Sequence, residues 1–103
     1  MHRVEIAVFT YRGWPTKSRR AINQMAYRSH QAGVSILGPV EYGNALIHRA
    51  RNEVLSQVTP DVSHVLMVDD DMVPEPDAIL KFLAHDMPIV SALCVSREPP
   101  PRA

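Results

Sequence analysis

HVLMVDDDMVPEP, residues 64–76, decides how the rest of the chain is read. Four of its first five residues, Val65, Leu66, Met67 and Val68, are apolar. An apolar run of that length, bounded by turn signals, predicts a strand over 64–68 that is buried on both faces. Asp69, Asp70 and Asp71 follow without a break. Three adjacent carboxylates cannot continue into a dry interior, because burying unpaired charge is too costly. They mark the point where the strand ends and solvent, a cation or a basic partner begins. Pro74 and Pro76 come next and predict a helix opening at 74–77, since proline is tolerated in a first turn.

Working outward, the flanking segments alternate in type. Residues 4–11 are β-rich and predict a first strand. Thr16 is placed to cap a helix over 17–32 whose apolar side holds Ile22, Met25, Ala26 and Ser29, with Gly33 as its stop. Residues 34–37 predict a short second strand and 38–43 a loop. A second helix over 44–58 carries a stripe of Ile47, Ala50, Val54 and Val58, with Leu46 and Leu55 at its margins. Ala78, Ile79, Phe82 and Leu83 are the core side of the third helix, and 86–88 a turn. Residues 89–95 predict a fourth strand. The order β-α-β-α-β-α-β points to a three-layer α/β/α fold with a mostly parallel sheet and right-handed crossovers. Residues 1–98 form one domain and 99–103 a proline-rich extended tail.

The bulk numbers set limits. The 103 residues suffice for one modest core, and 46 % apolar with 21 % charged residues is an ordinary globular balance. Eleven basic residues offset eleven acidic ones, so there is no global field for nucleic acid and no nucleic-acid partner is expected. The lone Cys94 rules out a disulfide within the chain and fits a reducing, cytoplasmic setting. No apolar stretch nears the roughly 20 residues of a membrane span, and the first residues lack the layout of a signal peptide.

In a parallel sheet, ligands bind at the carboxyl ends of the strands. That rule puts Thr10, Tyr11 and Arg12 on one rim with Asp69, Asp70 and Asp71. An Asp-x-Asp spacing at a strand end can hold Mg²⁺ or Mn²⁺, which takes few protein oxygens and leaves positions for a diphosphate. The plainer alternative is a solvated acidic turn or a helix cap. Arg51 falls inside the apolar arc of the second helix, where it needs a carboxylate or phosphate partner. An ordinary bridge to the acidic turn and a contact with nucleotide both satisfy it. His48 and Asn52 lie on the margin of that helix. Trp14, Tyr11 and Tyr42 are aromatics that either stack on a base or pack at the rim. No phosphate-loop pattern is present.

These residues resemble a known family. A strand ending in VDDDMVPEPDAI looks like the Asp-x-Asp segment of GT-A glycosyltransferases, especially the family-2-like group. The helix carrying Ala50-Arg51-Asn52 is similar to the "ARN" helix of that group, and the first strand ending in Thr10-Tyr11-Arg12 resembles its nucleotide-contacting opening. The resemblance implies part of a nucleotide-diphospho-sugar transferase (GT-A, Rossmann-like) fold, the half that binds a UDP- or GDP-sugar. Thr10, Arg12, Arg51, Asp69 and Asp70 would line the nucleotide-sugar. Asp69 and Asp71 would hold Mn²⁺ or Mg²⁺. Glu41 is a loose counterpart of the acid that contacts the base. The acceptor side, including the catalytic base of inverting members, is expected beyond Ala103, so the chain reads either as a fragment of a longer product or as a reduced stand-alone protein, and in the second case a gap beside the third strand, or self-association that fills it, is expected.

Other readings remain open at this point. Asp69, Asp71 and Val73 also fit the D-x-D-x-[TV] motif of haloacid-dehalogenase-like phosphohydrolases, with Asp69 as nucleophile and Asp71 as general acid/base. Lys81 and Asp86 are the only residues left to complete that site. A binding module that holds nucleotide-sugar and metal without transfer, and a structural α/β domain with an acidic rim, complete the set.

Overall fold

A computed structural model describes residues 2–10, 13–43 and 47–88, the side chains at 47 and 48 excepted. The elements are β1 (Arg3–Phe9), α1 (Thr16–Gln31), β2 (Ser35–Tyr42), α2 (Ile47–Gln57), β3 (His64–Asp69) and α3 (Ala78–Ala84). Tyr11, Arg12, the expected start of the second helix at 44–46, the expected fourth strand with Cys94, and the tail lie outside the described residues.

The strands form a parallel sheet in the order β2-β1-β3. β1 is central, and Val4 through Val8 are all buried. Alternation along it divides the core in two. Val4, Ile6 and Val8 pack with Ile22 and Met25 of α1 and Ile79 of α3. Ala7 points the other way and packs with Tyr42 and with Val54 of α2. The chain is thus the α/β protein its periodicity predicts, with three parallel strands and helices on both faces among the described residues. No described helix is long and apolar enough to cross a membrane.

Several local expectations are corrected. β2 does not end at 37. It runs to Tyr42, because β1 presents hydrogen-bonding partners as far as Phe9. The Gly-Pro pair that reads as a loop instead forms a β-bulge. Glu5 aligns with Leu37 but Ala7 with Val40, so β2 spends one extra residue there. Gly38 has φ +98, and a Cβ on it would lie 2.8 Å from the Val40 nitrogen and 2.9 Å from the Ile6 oxygen. Only glycine fits that approach. The Gly38–Pro39 peptide is cis. The bulge reverses alternation, so Leu37 and Val40 face the same side, and Tyr42 enters the α2 layer with its ring 6.1 Å from that of Phe9.

Thr16 is not a cap. Pro15 occupies the N-cap position of α1, and no side chain closes that end. α3 begins at Ala78 rather than at the prolines, after a turn in which the Ala78 amide donates to the Glu75 carbonyl. Helix two buries Ala50 and Val54, whereas Leu55 is 59 % exposed. β3 extends one residue past expectation, to an exposed Asp69; His64 through Met67 are half-buried and Val68 is buried. Among the described residues it pairs with β1 alone, which accounts for its incomplete cover. A groove lined by Leu55, Leu66, Ile79, Phe82 and Pro88 runs along its outer side.

Candidate functional site

The three strands finish level with one another. Phe9 is in register with Tyr42 on one side and with Asp69 on the other. The Thr10 amide donates to the Tyr42 carbonyl at 3.2 Å, and the Asp70 amide to the Phe9 carbonyl at 3.1 Å. Thr10, Asp69 and Asp70 are thereby brought to one rim at the carboxyl end of the sheet. Thr10 is half-buried, and its Oγ1 is buried without a hydrogen-bond partner among the described residues. An orphaned hydroxyl in such a position has something to gain from a ligand.

Alternation along β3 sends Asp69 to the same face as Phe9, the face covered by α2. Arg51 of α2 meets both. Its guanidinium carbon lies 4.5 Å from the centre of the Phe9 ring, and its Nη2 is 3.7 Å from Asp69 Oδ1. That separation is an ion pair too long for a hydrogen bond. The Arg51 side chain is 37 % exposed and that of Asp69 59 %, so water reaches both charges. The partner demanded by an arginine on the inner side of α2 is therefore the acidic turn, helped by an aromatic platform.

The acidic turn is a tight one. The Met72 amide donates to the Asp69 carbonyl at 3.2 Å, placing Asp70 and Asp71 at its centre. Asp70 is half-buried and Asp71 exposed. Behind the turn, Ser18 of α1 donates its hydroxyl to the Met72 carbonyl at 2.5 Å and accepts from Trp14 Nε1 at 3.2 Å. The Trp14 ring packs against the core and carries the Arg19 guanidinium 5.3 Å from its centre. Trp14 and Tyr42 are thus packing aromatics in this arrangement.

Two carboxylates bear on Tyr42. Its phenol is pushed above its usual range, first by burial, then by the charges of Glu5 and Glu53. Glu5 is itself buried, and its Oε2 has no hydrogen-bond partner among the described residues.

Arg12 lies outside the described residues, as does the side chain of His48. Asn52 and Glu41 are exposed. Lys81 pairs with Glu75 at 2.6 Å and Asp77 at 3.8 Å rather than with the three aspartates. Among the described residues, no three His, Cys, Asp or Glu side chains gather into a ready-made metal site. A cation at this rim would take one or two carboxylates from the protein and the rest from ligand and water, which is how Mg²⁺ is usually held.

Sequence reasoning missed Phe9 as the platform for Arg51 and Ser18 as the anchor of the turn. Both left a signal. Phe9 is four residues from Glu5 and two from Ala7 on the inner side of β1, and Ser18 is a polar residue on an apolar stripe. No protein-family model, curated protein or solved structure matches the chain.

Proposed function

We propose that this domain binds a nucleoside-diphosphate sugar with a divalent cation, as the donor-binding half of a glycosyltransferase of GT-A type. The observation that carries it is the single rim on which Thr10, Arg51, Asp69 and Asp70 meet, with the Thr10 hydroxyl buried and without a hydrogen-bond partner among the described residues. A parallel α/β sheet offers its ligand site at that edge. Asp71 and Asp69 would hold Mn²⁺ or Mg²⁺. The cation, when bound, neutralises the diphosphate and makes it a better leaving group. Arg51 supplies a positive charge to phosphate from the α2 side, and Thr10 offers its hydroxyl as donor or acceptor. Asp70 is available to a ribose hydroxyl. Without a cation, the three aspartates would repel a diphosphate, so binding should depend on metal.

The test is titration of UDP, GDP and their sugars with and without Mn²⁺, on the native chain and on Asp71→Ala. Metal-dependent binding that disappears in the variant supports the proposal. Absence of binding to every nucleotide in the presence of metal sinks it.

A further inference from the structure

We propose that Ser18 is a positioning residue for the acidic turn, and that the Trp14–Ser18–Met72 relay makes the only tryptophan a reporter of that turn. The part concerning metal rests on the function proposed above.

Ser18 is 2 % exposed and lies on the buried stripe of α1 with Ile22, Met25 and Ser29. A buried hydroxyl needs partners. Ser29 solves this within its own helix by donating to the Met25 carbonyl at 2.8 Å, the usual habit of helical serine. Ser18 sits one turn into α1, where the Pro15 carbonyl already accepts from the Arg19 amide. Its hydroxyl instead crosses to the Met72 carbonyl, 54 residues along the chain. Trp14 Nε1–H is a donor only, so it takes the hydroxyl's accepting side and leaves the hydroxyl proton for Met72.

This matters because of what holds the turn. Among the described residues, three hydrogen bonds tether the backbone from which Asp70 and Asp71 project. The Asp70 amide bonds to the Phe9 carbonyl and the Met72 amide to the Asp69 carbonyl. Those two links are backbone to backbone and survive any side-chain change. The third, at the Met72 carbonyl, depends on the Ser18 hydroxyl. Removing it takes away the trailing side's hydrogen bond to α1 and leaves Met72 held there by its packing on the core alone, while the strand end stays in place. The carboxylates would then lose their fixed spacing, and a cation bound through one or two of them is sensitive to that spacing.

The experiment compares the native chain with Ser18→Ala, Ser18→Thr and Trp14→Phe. Amide hydrogen exchange over residues 69–73, measured without metal, reads the clamp alone. Mn²⁺ binding in the presence of UDP, followed by electron paramagnetic resonance, reads the site. Trp14 emission is recorded in both conditions. Ser18→Ala should speed exchange in this turn, shift Trp14 emission and weaken Mn²⁺ binding about tenfold, the low end for partners that orient metal ligands. Ser18→Thr, which keeps the hydroxyl, should restore all three. In the native chain, Mn²⁺ with UDP should change Trp14 emission, and in Ser18→Ala that response should be lost. Trp14→Phe should also speed exchange, by less than Ser18→Ala. Native exchange rates in Ser18→Ala overturn the clamp, whatever the metal does. Faster exchange with native Mn²⁺ affinity overturns the positioning role. A native chain that binds no Mn²⁺ with UDP refutes the nucleotide-sugar function and the metal half of this proposal, while the exchange data still decide the clamp.

Discussion

Arg51 and Asp69 offer a measurement that bears on both fold and function. At 3.7 Å, two unit charges attract by about 1 kcal/mol in water and about 4 kcal/mol at an effective dielectric near 20. Exposures of 37 % and 59 % place this pair at the watery end. The bridge is thus worth about 0.2–1 kcal/mol and is weakened by salt. The guanidinium over Phe9 adds about 0.5–1 kcal/mol. A double-mutant cycle of Arg51→Ala and Asp69→Asn isolates the bridge, because the Phe9 contact is lost in both arginine-deleted corners. Urea unfolding followed by Trp14 fluorescence, at about 0.05 M and about 0.5 M NaCl, supplies the four stabilities. Arg51→Ala alone should cost about 1 kcal/mol, and the coupling should stay below that and shrink with salt. A coupling above about 2 kcal/mol, unchanged by salt, would refute the reasoning, since only a desolvated pair behaves so. Under the proposed function, the weakness of the bridge would be of use. An arginine held this loosely could turn to a phosphate at little cost, so, if the domain binds a nucleoside diphosphate as proposed, Arg51→Ala should damage that binding far more than stability.

Gly38→Ala should lose about 2–4 kcal/mol in urea unfolding, because it combines a left-handed φ with a Cβ pressed on two backbone atoms. Native stability within about 1 kcal/mol would show that the bulge relaxes freely. Tyr42 makes stability depend on alkali. Its folded pKa is raised above 10.0, so the folded chain keeps a proton that the unfolded chain releases, and stability falls as pH rises past that value. Urea midpoints measured above and below it should fall less steeply in Tyr42→Phe, and an unchanged slope would count against the burial and carboxylate pressure on this phenol.

The layout was legible because the sheet is parallel and central. The run at 65–68 and the one at 4–8, apolar but for Glu5, need cover on both sides, and helical periodicity between them supplies it. The place of the acidic turn followed from charge alone. What stayed hidden depended on contacts far apart in the chain. The fate of residues 38–42 was set by β1, whose register absorbs a Gly-Pro pair that locally signals a turn. The start of α3 was misplaced because proline permits a helix without requiring one. Arg51 reads as needing a carboxylate or a phosphate, and Asp69 lies 3.7 Å from it, but no local pattern says that Phe9 lies beneath it. Ser18 was passed over because its partner is in another third of the chain.

The bulge in β2 also governs which lengths of chain this sheet accepts. Glu5 and Ala7 are two steps apart on β1, and Leu37 and Val40 are three apart on β2. One of Gly38 and Pro39 is therefore supernumerary. A chain shortened by one of them runs as a regular ladder with Tyr42 still opposite Phe9 and still facing α2. Shortening by one residue between Val40 and Tyr42 instead breaks the alternation that turns Tyr42 inward. β2 thus has one position that tolerates a single-residue deletion, and it coincides with the position that tolerates no added methyl group.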